Sequence, residues 1–183
     1  GHIEECLTVP EYRIECQCYG KGSLLYSLKV IYWDDDRLDD LWQRVKMDIG
    51  WAMVRDREFI DWRYKRNPFY SHTLYGLEHI ITKRLLGWVV VRDDAEDWRI
   101  MDALFYPSFL ETLLSKVLGA AKRLNKRQIK LWLPDRYKQR LIAMGFRPED
   151  IHTWMPNFIA YKVAESEEIR NNLYYTMGDT DFL

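Results

Sequence analysis

This sequence is poor in the residues that usually announce a chemistry. Of its 183 residues, 4 are His and 3 are Cys. His72, His79 and His152 have no spacing that would gather them on one metal. The cysteines, Cys6, Cys16 and Cys18, crowd toward the N-terminus. An odd count without a framework spacing points to a reducing compartment, hence the cytoplasm. Cys16 and Cys18 lie two apart on an expected strand, which would aim both at one face. With no His nearby in sequence, zinc is not expected there. No apolar run reaches the roughly 20 residues needed to span a bilayer, and no secretory leader pattern is seen. Charge of one sign is also missing: 27 Lys and Arg stand against 28 Asp and Glu, a net −1, with both signs mixed along the chain. That balance argues against nucleic acid or an anionic membrane as a partner. Glycine is absent from the strand-to-helix junction Leu104-Phe105-Tyr106-Pro107-Ser108-Phe109-Leu110-Glu111, where a nucleotide- or coenzyme-binding fold would seat a phosphate.

The length suits one large domain with a sizeable core. A hydrophobic fraction of 48% and a charged fraction of 30% are those of an ordinary globular chain. Aromatics are plentiful, with 8 Trp and 12 Tyr. They fit a core of large rings or an aromatic-walled ligand cleft, and they leave room for a dimerising module. Lys122, Arg123, Lys126, Arg127 and Lys130 gather at the expected end of a helix, where cations suit the negative dipole end.

Residues 11–19 alternate as a strand, and a second strand covers about 24–33. Asp34-Asp35-Asp36 then offers N-caps and first-turn anions for a helix over 36–48, with Leu38, Leu41, Trp42 and Val45 on one face. A second helix begins at Asp56 and stops at Pro68. Strands follow at about 71–79, 84–92 and 97–105, the last two joined by an acidic run, Asp93–Asp97, read as a solvated turn. A long helix carries the stripe Phe109, Leu110, Leu113, Leu114, Val117, Leu118 and Ala121, and Ser108 with Glu111 has capping-box spacing. A strand at Ile129–Leu133, a short helix from Asp135 to Gly145, a last strand at 158–163 and a polar-then-aromatic tail complete the chain. Short turns imply an antiparallel section, and the long helix implies one parallel crossover.

From residue 24 onward this order resembles the GNAT acyltransferase fold, an α/β (α+β) architecture with a mixed, mostly antiparallel central sheet flanked by helices. Leu141-Ile142-Ala143-Met144-Gly145-Phe146-Arg147 resembles the helix ending in Gly-Phe of many GNAT proteins. Phe59-Ile60-Asp61-Trp62-Arg63-Tyr64-Lys65-Arg66-Asn67-Pro68 and Tyr175-Thr176-Met177-Gly178-Asp179-Thr180-Asp181 are together similar to a bacterial and archaeal subgroup. In its longer members this region is the C-terminal half, behind another GNAT-like half. The division expected is therefore 1–23, a tag remnant (Gly1-His2) with an extra strand, and 24–183, a GNAT-like domain, with natural sequence extending upstream.

The resemblance implies acyl transfer from acetyl-CoA or another acyl-CoA to a small-molecule amine. As an alternative it admits a non-catalytic half that holds substrate or a partner half. GNAT enzymes seat the pyrophosphate on backbone N–H groups of a glycine-bearing loop at the long helix. Here Pro107 lacks an N–H, Ser108 and Glu111 would satisfy the free donors themselves, and a Glu carboxylate repels phosphate. Any coenzyme contacts would fall to Phe105, Tyr106 and Ser108. Glu78, at a strand end, and Asp102, mid-strand in an apolar run, are candidate general bases, although Asp102 could instead face the surface or pair with an Arg. Tyr175, beside Tyr174, could protonate a leaving thiolate or simply dock the tail. Trp62, Arg63, Tyr64 and Asn67, with Asp179 and Asp181, are the candidate substrate-binding cluster. Arg63 could bind a carboxylate or phosphate, or it could pair with Asp179 or Asp181 and pin the tail. Asp179 and Asp181 could bind a metal or an amine, although two carboxylates are few ligands for a dedicated metal site.

Overall fold

The structure is a computed structural model that describes residues 6–18, 22–156, 168 and 171–180. Its elements are β1 (Cys6–Glu15), β2 (Tyr26–Val30), α1 (Arg37–Val45), α2 (Arg57–Ile60), β3 (His72–His79), β4 (Leu85–Asp94), β5 (Asp97–Phe105), α3 (Leu110–Arg123), β6 (Gln128–Leu131), α4 (Lys138–Ala143) and β7 (Arg147–Pro156). The described strands make one sheet in the order β2-β3-β4-β5-β6-β1-β7. Strands β2 to β5 form an antiparallel meander. The chain then crosses over through α3 to β6, which lies parallel to β5. This is the mixed, mostly antiparallel sheet that the sequence predicts.

Local patterning explains the meander and its helices. The first eight residues of β4, Leu85 to Arg92, are buried, as befits a central strand covered on both faces. Leu38, Leu41, Trp42 and Val45 bury one stripe of α1. Leu110, Leu113, Leu114, Val117, Leu118 and Ala121 do the same for α3. Each leucine so buried contributes about 1.5–3 kcal/mol relative to exposure. Gly145 closes the turn after α4 at φ +100. Phe146 N donates to Leu141 O at 3.0 Å, the left-handed helix end expected of that glycine.

Several expectations change. The strand expected at 11–19 runs over Cys6–Glu15, and Cys16–Cys18 forms a 3₁₀ turn, so Cys16 and Cys18 do not share a strand face. Strand β1 is an inner strand, antiparallel to β6 on one side and β7 on the other. Arg147–Pro156 forms β7, which no periodicity announces, while the strand expected at 158–163 lies outside the described residues. The acidic β4–β5 turn is exposed at Asp93, Ala95 and Glu96, as expected of a solvated turn, and it is also tied to basic residues that follow α3. Lys126 Nζ donates to Asp93 at 2.6 Å, while Arg127 and Lys130 reach Asp97 at 3.1 and 3.0 Å. The capping box does not form. A 3₁₀ turn, Pro107–Phe109, precedes α3, no side chain caps the helix, and Glu111 turns away to Arg140.

Candidate functional site

Strands β5 and β6 pair only from Asp97–Gln128 to Ile100–Leu131. Beyond Ile100 the pairing ends, and β5 continues alone to Phe105 and the start of α3. Such a crevice, at the carboxyl ends of two parallel strands, is where ligands enter α/β sheets. Here it receives the tail. Tyr174, Tyr175, Thr176 and Met177 are all buried. The Tyr174 ring packs edge-on against Phe105 of β5 and Tyr137, which follows β6. Its hydroxyl donates to Ala103 O at 2.7 Å, taking up a carbonyl of β5 beyond the paired stretch.

A buried clasp holds the tail there. Arg55, in the loop before α2, is fully buried. Its Nε donates to Asp102 Oδ1 at 2.8 Å and its Nη2 to Asp179 Oδ2 at 2.5 Å. The guanidinium also lies 4.9 Å from the centre of the Tyr174 ring. Asp102 has little accepting capacity left: Thr176 Oγ1 donates to Oδ1 at 3.0 Å and the Tyr64 hydroxyl to Oδ2 at 2.8 Å. Burial opposes the Arg55 charge, but Asp102 and Asp179 outweigh it and raise its pKa. Burial drives the Asp179 carboxyl upward against the pull of Arg55. Burial, then Asp102, pushes the Tyr64 hydroxyl well above its ordinary value.

The tail itself turns at Met177–Asp179, where Thr176 and Asp179 cap each other. Arg63 fixes the turn from outside, donating from Nε to Gly178 O at 3.1 Å and from Nη2 to Thr180 O at 2.8 Å. Gly178 is required by packing: a Cβ there would overlap the Tyr64 hydroxyl and lie 3.0 Å from Met101 O. The conserving of space, rather than of backbone freedom, is what this glycine supplies.

The N-terminus of α3 is also occupied. Arg140 of α4 forks onto Glu111 at 2.6 and 2.7 Å and donates to Pro107 O at 2.6 Å. The hydrogen bond from Arg140 holds the Glu111 carboxyl below its ordinary range. The helix end therefore presents an ion pair and a proline where a phosphate would need free N–H groups.

The sequence candidates fall apart into separate places. Asp102, Tyr64, Arg63 and Asp179 meet in the clasp. Glu78 lies elsewhere, paired with Lys29 at 2.6 Å and Arg37 at 3.0 Å. Burial alone would raise its pKa, but those cations bring it below the ordinary value, which suits a structural anion better than a base at neutral pH. Trp62 is exposed beside Phe59, and Asn67 Oδ1 accepts from the backbone N of Phe69 and Tyr70. Phe105 and Tyr175 are buried, Tyr106 OH accepts from Arg84 at 2.7 Å, and Ser108 is exposed. Asp181 lies outside the described residues. Among the described residues no group of three His, Cys, Asp or Glu is placed to hold a metal. No helix there is long and apolar enough to cross a membrane. Sequence reasoning missed Arg55, Thr176 and Arg140. Of these only Arg55 left a trace, a cation following Met53-Val54 whose partner, Asp102, stood out in an apolar strand.

This arrangement, an antiparallel meander followed by an α3 crossover to a parallel strand, is the GNAT fold, an acyltransferase-like architecture. A conserved protein from Enterococcus faecalis V583, described as a probable N-acyltransferase, superposes with a TM-score of 0.60 at 11% identity over 81% of this chain and 38% of that one. N-myristoyltransferase from Saccharomyces cerevisiae with bound myristoyl-CoA gives 0.57 at 10% identity over 78% of this chain and 48% of that one. A GCN5-related N-acetyltransferase from Anabaena variabilis gives 0.52 at 9% identity over 69% and 33%. This chain thus spans between a third and a half of these proteins. No protein-family profile matches the chain. No curated protein matches it in sequence.

Proposed function

We propose that this chain is a non-catalytic GNAT-type half of a longer acyltransferase-like protein, serving as a structural partner to a half that carries the chemistry. One observation carries the reading: Tyr174 fills the β5–β6 crevice and binds Ala103 O at 2.7 Å. A coenzyme with its phosphates at α3 would have to displace a fully clasped tail. It would also have to break the Arg140–Glu111 pair. Neither Asp102 nor Glu78 is left as a free base. The lengths of the similar structures, two to three times that of the matched region, agree with a half of something larger.

The competing reading is an active acyltransferase, for which N-myristoyltransferase with its bound myristoyl-CoA is the precedent in this fold. Thermal melting with acetyl-CoA or myristoyl-CoA separates the two. A coenzyme present about 100-fold above its Kd would stabilise by about 2.7 kcal/mol, a rise of about 5–10 °C for a chain of this size. We expect no rise with millimolar coenzyme. A reproducible rise that Tyr174→Phe or Glu111→Gln alters would overturn the proposal.

A further inference from the structure

One loop has cavities on both sides. After α2 the chain makes a widened π turn, Asp61–Lys65, and then a tight reversal before β3. Asn67 Oδ1 accepts from Phe69 N at 2.9 Å and Tyr70 N at 3.0 Å, which fixes the reversal. Phe69 is left 84% exposed and Tyr70 47% exposed. Exposed rings at such levels, on a loop that is itself tied down, require an account. The Tyr70 ring lies 4.4 Å from the Arg92 guanidinium, which is forked onto Asp94 at 2.8 and 3.2 Å. A platform held this way loses little side-chain freedom on binding a ligand.

On one side, a cleft of about 380 Å³ runs between Trp33 and the Phe69-Tyr70 pair. On the other, a cleft of about 270 Å³ is walled by the same pair with Tyr75 and Trp98. The first is within the range of small-ligand sites, about 300–1,000 Å³, and the second falls just below it. Their charges are already matched within the protein. Lys65 pairs with Asp61 at 3.3 Å, Arg92 with Asp94, and Asp93 with Lys126 at 2.6 Å. The neutral groups that line the clefts include ring faces, the His72 ring, the Asn67 amide nitrogen and the hydroxyls of Ser71 and Thr73.

That inventory selects a chemistry. An anion would have to draw Lys65 from Asp61 or break the Arg92–Asp94 fork, since Arg92 Nη1, although without a hydrogen-bond partner, is buried out of its reach. A purely apolar molecule would cover Asn67 and Ser71 and leave them without hydrogen bonds, at about 1–3 kcal/mol each. A pyranose ring satisfies both demands. Its C–H face carries slight positive charge and stacks on the negative face of an aromatic ring, while its hydroxyls exchange hydrogen bonds with neutral amide and hydroxyl groups. We propose that the loop 66–71 and its two flanking clefts form a binding site for neutral carbohydrate. The site is separate from the β5–β6 crevice, and its readout is sugar binding, so this inference and the non-catalytic reading can fail independently.

The test is a glycan array bearing neutral, sulfated and uronic-acid oligosaccharides, followed by calorimetric titration of the strongest neutral hit. We expect retention of neutral glycans and little effect of added salt. Phe69→Ala and Tyr70→Ala should each weaken binding about three- to tenfold. Phe69→Ala should leave the melting temperature unchanged, because that ring is mostly exposed. Retention of no neutral glycan, retention only of sulfated or uronic glycans, or unaltered binding by both variants would each overturn the proposal.

Discussion

Removing the Asp102 carboxylate tests the clasp most directly. In Asp102→Ala, Arg55 loses its 2.8 Å partner inside the core, and the Tyr64 and Thr176 hydroxyls lose theirs. Taking one member from a buried ion pair costs about 3–5 kcal/mol, chiefly because the other charge stays buried without compensation. Asp179 remains within 2.5 Å of Arg55 Nη2, so the lower part of that range applies, about 3 kcal/mol. For a chain of this size that lowers the melting temperature by about 6–12 °C. Asp102→Asn keeps the shape and part of the hydrogen bonding, so its loss should be smaller. Urea titration followed by tryptophan fluorescence measures both. Destabilisation alone is what any core substitution gives, so a second measurement is needed. Hydrogen exchange at the amides of Tyr174 to Thr180 should accelerate far more than at β4, because Asp102 holds Arg55 and Thr176, and Arg55 holds Asp179. A loss below 1 kcal/mol, or tail amides that exchange no faster than those of β4, refutes the clasp.

The remaining expectations are simpler. Gly178→Ala must push Tyr64 off Asp102, so it should destabilise about as strongly as Asp102→Ala, and equal stability to the parent would contradict the packing seen at this turn. Tyr174→Phe loses one buried hydrogen bond to Ala103 O and should cost about 1 kcal/mol; denaturant titration checks it. Glu111→Gly combined with Arg140→Ala clears the α3 end but leaves Tyr174 in the crevice, so acetyl-CoA should still give no thermal shift. Acid should weaken the fold. Glu78 and Asp97 have folded pKa values below 4.5 and 3.8, because their cation pairs and hydrogen bonds outweigh the upward push of burial. The folded state then binds these protons less tightly than the unfolded chain, so the stabilisation is fully present above those unfolded values and is lost as pH falls through the folded ones. A melting temperature flat from pH 6 to pH 2.5 would contradict those pairings.

What the sequence made legible was local. The meander β3–β5 and the helices α1 and α3 follow from periodicity within each segment, and their bounds fall within a few residues of those expected. β1 was legible as a strand but not as an inner one, because its partners at Gln128–Leu131 and Arg147–Pro156 are more than 100 residues away. β7 contains Pro148, Pro156 and two consecutive acids, a composition poor for a strand and tolerated on one that is outermost among the described strands. Glu111 had capping-box spacing, yet a bidentate Arg 29 residues later outcompeted the helix end for it. Asp102 stood out as a carboxylate in an apolar strand. Pairing with an Arg was one of the readings open to it, but nothing in the sequence named Arg55.

The clasp bears on what this fold can do, through an asymmetry in what buried charge is worth. A buried ion pair contributes little net stability over well-packed apolar residues, yet breaking it is costly. Arg55, Asp102 and Asp179 therefore do little that leucines could not do for stability alone. What they fix is position: Asp102 belongs to β5, Arg55 precedes α2, and Asp179 lies in the tail, so only one placement of the tail satisfies all three. That placement sets Tyr174 beside Ala103 at the point where β5 leaves β6. Glycine in place of Pro107 would add an N–H group at the start of α3 and leave the crevice as full as before. On the non-catalytic reading proposed above, the missing glycines and the clasped tail would be two separate barriers to a coenzyme, and only the first is visible in the junction itself.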